Sequence, residues 1–129
     1  MSSPAKPVYR PLTPEENEGF DKNMKEWAER LSLHDWNIYR RASGRRPKGV
    51  HADVDPKVGA RMAAYRTGEH WRDADVNPAY ISQIALHEVG HVFLAELIDA
   101  AQSDNAEWLE AAEHRAINAL VRALTGETV

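Results

Sequence analysis

A chain of 129 residues is long enough for one domain with its own core and too short for two. The absence of cysteine excludes disulfides and any zinc site built on thiolates. The formal net charge of -4 gives no overall basic surface, so we expect no nucleic-acid partner. With no apolar leader and no apolar span of about 20 residues, the sequence predicts a cytoplasmic protein that does not contact a membrane.

Proline recurs in segment 1–12, which has little to bury, and this predicts a flexible N-terminal arm followed by a single domain over 13–129. The domain begins with a helix. Thr13, followed three positions later by Glu16, forms a capping box, and Pro14 occupies the first helical position. Helical spacing then predicts one buried stripe, which consists of Phe20, Met24, Trp27, Ala28 and Leu31.

The helical period disappears between positions 35 and 75, where glycine and proline recur. Segments 36–40, 50–54 and 60–66 are predicted strands of a small sheet with about three strands. If 60–66 is an exposed edge strand, an extended peptide could pair with it. We interpret the basic residues of this region as a solvated loop rather than a phosphate site: Arg40, Arg41, Arg45, Arg46 and Lys48.

The run from His87 to His91 reads His-Glu-Val-Gly-His. Two histidines four positions apart on a helix project from the same face about one turn apart, so both imidazoles can bind one ion. This is the H-E-x-x-H signature of zinc hydrolases, in which the intervening glutamate, here Glu88, accepts a proton from the metal-bound water. The alternative interpretation is a pair of hydrogen-bonded core histidines.

Asn77 and Pro78 predict the start of the helix that carries this motif, as N-cap and first helical residue. Its apolar residues recur at spacings of three and four, and both histidines fall on the same stripe, which predicts that they face the core: Tyr80, Ile84, His87, His91, Leu94 and Ile98. Gly90 costs about 1 kcal/mol relative to alanine in mid-helix, which predicts close packing or the approach of a ligand there. We expect this helix over about 78–100 and a last helix over about 106–124.

A catalytic zinc usually takes three protein ligands, and the last helix offers Glu110, Glu113 and His114. The apolar stripe predicted for this helix consists of Leu109, Ala116, Ile117, Leu120 and Leu124. Glu113 lies within that stripe, Glu110 at its edge, and His114 about 100° away. Because a buried carboxylate is costly unless it is paired or bound to metal, Glu113 is the favoured ligand. The alternative is an ion pair from Glu113 to Arg61 or Arg115.

With these residues the chain resembles the gluzincin class of zinc metallopeptidases, in particular the compact single-domain forms of bacteria and their phages. The resemblance rests on the motif from His87 to His91 and on Glu113, which follows 22 residues later (113 − 91). It implies an α+β, zincin-like fold with an N-terminal helix, a small sheet, the motif helix and a C-terminal helix that supplies the third ligand.

By this resemblance His87, His91 and Glu113 would bind Zn²⁺, and Glu88 would be the catalytic base. The larger gluzincins carry an acidic residue four positions after the ligand glutamate, to orient a histidine, and this chain has Ile117 there. Asn118 or a backbone carbonyl would then have to orient the histidine.

Peptide hydrolysis also needs a donor for the developing oxyanion. The candidate donors in this sequence are Tyr65, His70, Tyr80, His51 and His114, each of which could equally be a packing or surface residue.

Three functions are consistent with these patterns. The motif favours a zinc endopeptidase that acts on a protein or peptide substrate. The small size is also compatible with a zinc-binding regulatory or interaction module that has little general proteolysis. A DNA-associated zinc protease with His114 as third ligand is the remaining alternative, which the acidic charge disfavours.

Overall fold

The computed structural model describes residues 6–42 and 46–126, which form an α+β fold. Three α-helices are present in this part of the chain: α1 (Pro14–Arg30), α2 (Pro78–Ala101) and α3 (Ala106–Thr125). The strands are β1 (Tyr9–Arg10), β2 (Asn37–Arg40), β3 (Ala52–Lys57), β4 (Met62–Thr67) and β5 (Trp71–Arg72). Two 3₁₀ turns lie at Val58–Ala60 and Asp73–Asp75.

The capping box predicted for α1 is confirmed. The Glu16 amide donates to Thr13 Oγ1 at 3.2 Å, and the Thr13 amide donates to Glu16 Oε1 at 2.9 Å. These bonds satisfy two amides that a helix start leaves without partners. Within the predicted stripe, Phe20 and Met24 are at most 1% exposed, so α1 supplies a main wall of the core.

Part of the predicted N-terminal arm belongs to the folded body. Tyr9–Arg10 pairs antiparallel with β5, and Leu12 is buried in the core. Arg10 bonds both Asp73 Oδ1 and Glu16 Oε1 at 2.6 Å and so ties the strand pair to α1. The hydrogen bond from Arg10 lowers the pKa of Glu16 to about 2. Residues 1–5 lie outside the described part of the chain.

The main sheet has three strands in the order β2-β4-β3, which confirms the predicted strand number. β4 is central, parallel to β2 and antiparallel to β3. The condition that segment 60–66 is an exposed edge strand is therefore not met, because β4 is paired on both sides. The edge beside α2 is β3, which packs against that helix.

The predicted buried faces of α2 and α3 are wrong. On α2 the buried side chains include Ile81, Ala85, Val89, Val92 and Ala95, whereas both motif histidines are exposed. On α3 the buried residues are Ala112 and Ala119, whereas Glu113, Ile117, Leu120 and Leu124 are exposed. Small side chains allow close helix packing, and on α3 the two buried residues are alanines.

Gly90 does not mark close packing, since a β-carbon there would meet nothing within 4 Å. Gly68 does. A β-carbon on Gly68 would lie 2.3 Å from the Val50 carbonyl oxygen and 2.8 Å from that of Pro47. The Gly68 amide also donates to His51 O at 2.7 Å, so this glycine brings the loop before β3 against the end of β4.

Among the described residues one helix, α2, is long and apolar enough to cross a membrane by length and composition alone. The expectation that the chain contains no such stretch is therefore wrong on composition. A core helix of a soluble protein can meet the same criterion, and α2 packs against α1, β3 and α3.

Candidate metal centre

The two motif histidines converge on one point outside α2. Asn77 caps this helix by accepting a hydrogen bond from the Tyr80 amide at 2.9 Å, with Pro78 in the first turn, as predicted. The Nε2 atoms of His87 and His91 lie 3.2 Å apart. Two nitrogens bound to one tetrahedral zinc at about 2.0–2.1 Å would be about 3.3 Å apart, so the pair fits a shared ion. Because both rings are exposed, the alternative of a buried core pair is wrong.

Glu88 completes a cluster of potential ligands. Its carboxylate and the two imidazoles have donor atoms within 4.8 Å of one another, the geometry of a group that could hold a metal ion. The side chain is 5% exposed and makes no hydrogen bond within the described part of the chain, but its carboxylate oxygens are not among the fully buried unpartnered atoms and so keep contact with the solvent. Burial, with a smaller contribution from the charge of Asp53, raises the pKa of Glu88 to about 7. A carboxyl group so poised can accept or release a proton at neutral pH.

A cleft of about 540 Å³ opens beside this cluster, between α2 and β3. Its walls are largely apolar. Val50, Ala52, Val54 and Val58 line one side, and Ala95 and Ile98 line the other. Asp53 enters the cleft from β3 and is held by Arg66, whose Nε and Nη2 donate at 3.2 and 2.8 Å. Sequence patterns missed Asp53, because no fixed spacing connects a residue on a strand with a motif on a distant helix.

The predicted third ligands lie elsewhere. Glu110, Glu113 and His114 are exposed on α3, and none belongs to the cluster formed by the motif residues. The alternative considered for Glu113, an ion pair to Arg61 or Arg115, is not formed. Those two arginines instead bind Glu96, Arg61 through Oε2 at 3.1 Å and Arg115 through Oε1.

The orienting partner considered for the ligands, Asn118, is exposed and lines a different cavity. This second cavity, of about 470 Å³, lies between α3, α2 and the segment after α1. Asn118 is therefore not placed beside the histidine pair in this structure.

The candidate oxyanion donors are dispersed. Tyr65 is buried and donates to Asp21 Oδ1 at 2.7 Å, and burial raises its pKa. His70 stacks on Tyr9 with ring centroids 4.4 Å apart. His114 is exposed on α3.

Tyr80 is the candidate on the same helical face as His87, seven positions earlier and so about 10 Å away along the axis. Its hydroxyl is 2.9 Å from Nε2 of His51, whose pKa is lowered by burial.

In the basic segment that begins at Arg40, part of the positive charge is used in contacts within the protein. Arg40 bonds Asp21 Oδ1 and Thr67 Oγ1, both at 2.9 Å, and its guanidinium lies over the Tyr65 ring. Arg45 lies outside the described residues.

Comparison with protein-family models, with curated proteins and with solved structures found no match for this chain. The candidate centre therefore stands on its own geometry: two convergent imidazoles, one buried carboxyl group and a cleft.

Proposed function

We propose that this protein is a zinc-dependent metallopeptidase of the zincin type, in its gluzincin class, that hydrolyses peptide bonds at the His87–His91 centre. The observation that carries the proposal is the placement of Glu88 beside the convergent histidine pair. A carboxyl group that is 5% exposed and without a hydrogen-bond partner in the described chain is costly to keep as a structural residue. As a proton acceptor beside a metal it has a chemical use.

Zinc held by these histidines would activate a water molecule and polarise the scissile carbonyl. Glu88, which lies beside the histidine pair, would accept the proton of the attacking water and donate it to the leaving amine. The apolar residues of the cleft would offer a surface for the side chains of a bound peptide.

We propose Glu113 as the third ligand, on the strength of the resemblance. Its carboxylate is exposed and makes no ion pair in the described chain, so no internal partner competes for it. This assignment requires α3 to present Glu113 to the histidine pair, a placement in which the exposed stripe of Ile117 and Leu120 would also turn towards α2.

The substrate would be an extended peptide segment. β3 is an edge strand that lines the cleft, so a peptide could pair with its free backbone edge while it lies beside the histidines. Pro56 cannot donate a backbone hydrogen bond, and an edge strand is where a sheet tolerates proline.

The test is a paired measurement of metal content and hydrolysis. We expect about one zinc per chain, removed by chelator, and cleavage of casein or of a peptide library by the zinc-loaded protein. Glu88→Gln should retain zinc and lose hydrolysis by several orders of magnitude, because the base is removed while the ligands remain. A variant that cleaves at the wild-type rate would exclude this role for Glu88.

A zinc-binding module with little proteolysis is the second candidate. The observation in its favour is that Glu110, Glu113 and His114 all stand apart from the cluster, which leaves two histidines and Glu88 as the gathered donors. In that case Glu88 would itself bind the metal, and Glu88→Gln would weaken zinc binding at least tenfold instead of preserving it.

A further inference from the structure

Apart from the two histidines, the ionisable side chains of the described residues that line the cleft are acidic. Asp53, Glu88 and Asp99 are its charged lining residues, and within the described chain no lysine or arginine lines it. Asp53 is neutralised by Arg66, and Glu88 belongs to the candidate centre. Asp99 is therefore the one of these three carboxylates that has neither a basic partner nor a place in the candidate centre.

Asp99 is exposed and lies at the end of its helix, where a negative charge is unfavourable. It lies in the last turn of α2, which contains no basic residue, and it makes no ion pair within the described chain. The carbonyl groups at a helix C-terminus carry partial negative charge, so a further negative charge there is unfavourable. An added cation would relieve both charges.

The position of Asp99 on α2 gives its separation from His91 along the helix axis. It follows His91 by eight residues (99 − 91), which is about 12 Å along the helix axis. An extended peptide covers this distance in three to four residues. Ala95 and Ile98 line the cleft between the two points, so that stretch is apolar.

We propose that the cleft selects extended peptide segments in which a lysine or arginine lies three to four residues from the peptide bond held at the histidine pair, and that Asp99 binds this side chain. The inference rests on the proposed function and adds a substrate class to it. Glu88, buried and without a hydrogen-bond partner in the described chain, lines the same cleft at the end near the histidines.

A zinc ion at the histidines would not cancel the contribution of Asp99. The separation of about 12 Å exceeds the Debye length of about 8 Å at physiological ionic strength, so the two sites act largely independently. The preference should therefore be confined to one position of the peptide.

The test is binding of labelled peptides to zinc-loaded Glu88→Gln. The peptides share one apolar sequence of ten residues. Each peptide carries a single lysine, norleucine or glutamate, and this residue is moved through the positions two to five residues from the centre on either side. We expect lysine at three or four residues, on one side, to bind about two- to fivefold tighter than norleucine, the range for an exposed ion pair. The advantage should vanish in 0.5 M salt.

Two variants locate the effect. Asp99→Lys in the Glu88→Gln background should reverse the preference, so that glutamate at the same peptide position becomes the tighter binder. Asp104→Lys makes the same change in net charge outside the cleft and should leave the lysine preference intact. The inference would be overturned if lysine improved binding equally at all positions, or if its advantage survived Asp99→Lys. It would also be overturned if no peptide bound.

Failure of this inference is distinguishable from failure of the proposed function, because binding to Glu88→Gln needs no hydrolysis. Wild-type protein that cleaves the whole series without regard to charge refutes the role of Asp99 and leaves the peptidase standing. Binding that depends on Asp99, without cleavage by the wild type, refutes the peptidase and leaves the peptide preference standing.

Discussion

Replacement of Glu88 by glutamine should stabilise the metal-free protein above neutral pH and have little effect near pH 5. Burial, and to a lesser extent the charge of Asp53, raise the pKa of Glu88 from 4.5 to about 7 in the folded protein. In the unfolded chain the carboxyl group keeps its ordinary pKa. Between these two values the folded state binds a proton that the unfolded state does not, so wild-type stability falls as the pH rises through this window.

The size of the effect follows from the pKa difference. Each tenfold change in proton affinity is worth about 1.4 kcal/mol, so a rise in pKa from 4.5 to about 7 corresponds to at most about 3–4 kcal/mol above neutral pH. The carboxyl group borders an open cleft, where solvent screening reduces its cost, and we expect about 1–2 kcal/mol. Glutamine keeps the shape of the side chain and carries no charge.

Urea unfolding in the presence of chelator at pH 5, 6, 7 and 8 measures this directly. The free energy of unfolding of Glu88→Gln minus that of the wild type should grow with pH and level off near pH 8. Glu110→Gln, on the exposed face of α3, is the matched control and should show no such trend. A difference for Glu88→Gln that stays constant from pH 5 to pH 8 would refute the argument.

Four further outcomes are expected. Glu113→Ala should weaken zinc binding at least tenfold in calorimetry while His114→Ala should not, and the reverse result would reassign the third ligand to His114. Acid should release zinc before the helices unfold, since protonated imidazole does not bind metal, and zinc that is lost only on unfolding would argue against histidine ligands. Gly68→Ala should cost about 2 kcal/mol or more in urea unfolding, because its β-carbon would lie 2.3 and 2.8 Å from two carbonyl oxygens. Gly90→Ala should instead add up to about 1 kcal/mol, because its β-carbon meets nothing within 4 Å, and a loss of stability there would contradict the structure.

Helix starts could be predicted from the sequence, because the residues that form a cap are close neighbours along the chain. The bonds between Thr13 and Glu16, and the cap at Asn77, involve residues three positions apart, so their signal is complete within one turn of helix. The three strands of the main sheet also lie close to their predicted positions. The two-residue strands β1 and β5 were not predicted, because a pairing between Tyr9 and Arg72 has no local pattern.

The faces of the helices could not be predicted, for a physical reason. α2 has apolar residues on most of its circumference, so periodicity does not distinguish a face, and packing of Ala85 and Val89 against the body decides it. On α3 the small residues Ala112 and Ala119 turn inward and leave Ile117 exposed. The convergence of the histidines depends only on their spacing and was predictable, whereas the cleft depends on tertiary structure and was not.

The placement of both histidines on a single helix bears on how the chain folds. Their convergence needs only about two turns of α2, whereas the burial of Glu88 needs β3 and the rest of the sheet. A divalent ion that bridges the two imidazoles would therefore stabilise a helix nucleus, whose formation is the unfavourable step of helix growth, before long-range contacts exist. Refolding in the presence of zinc should then be faster than in chelator, to the extent that α2 is already formed in the folding transition state.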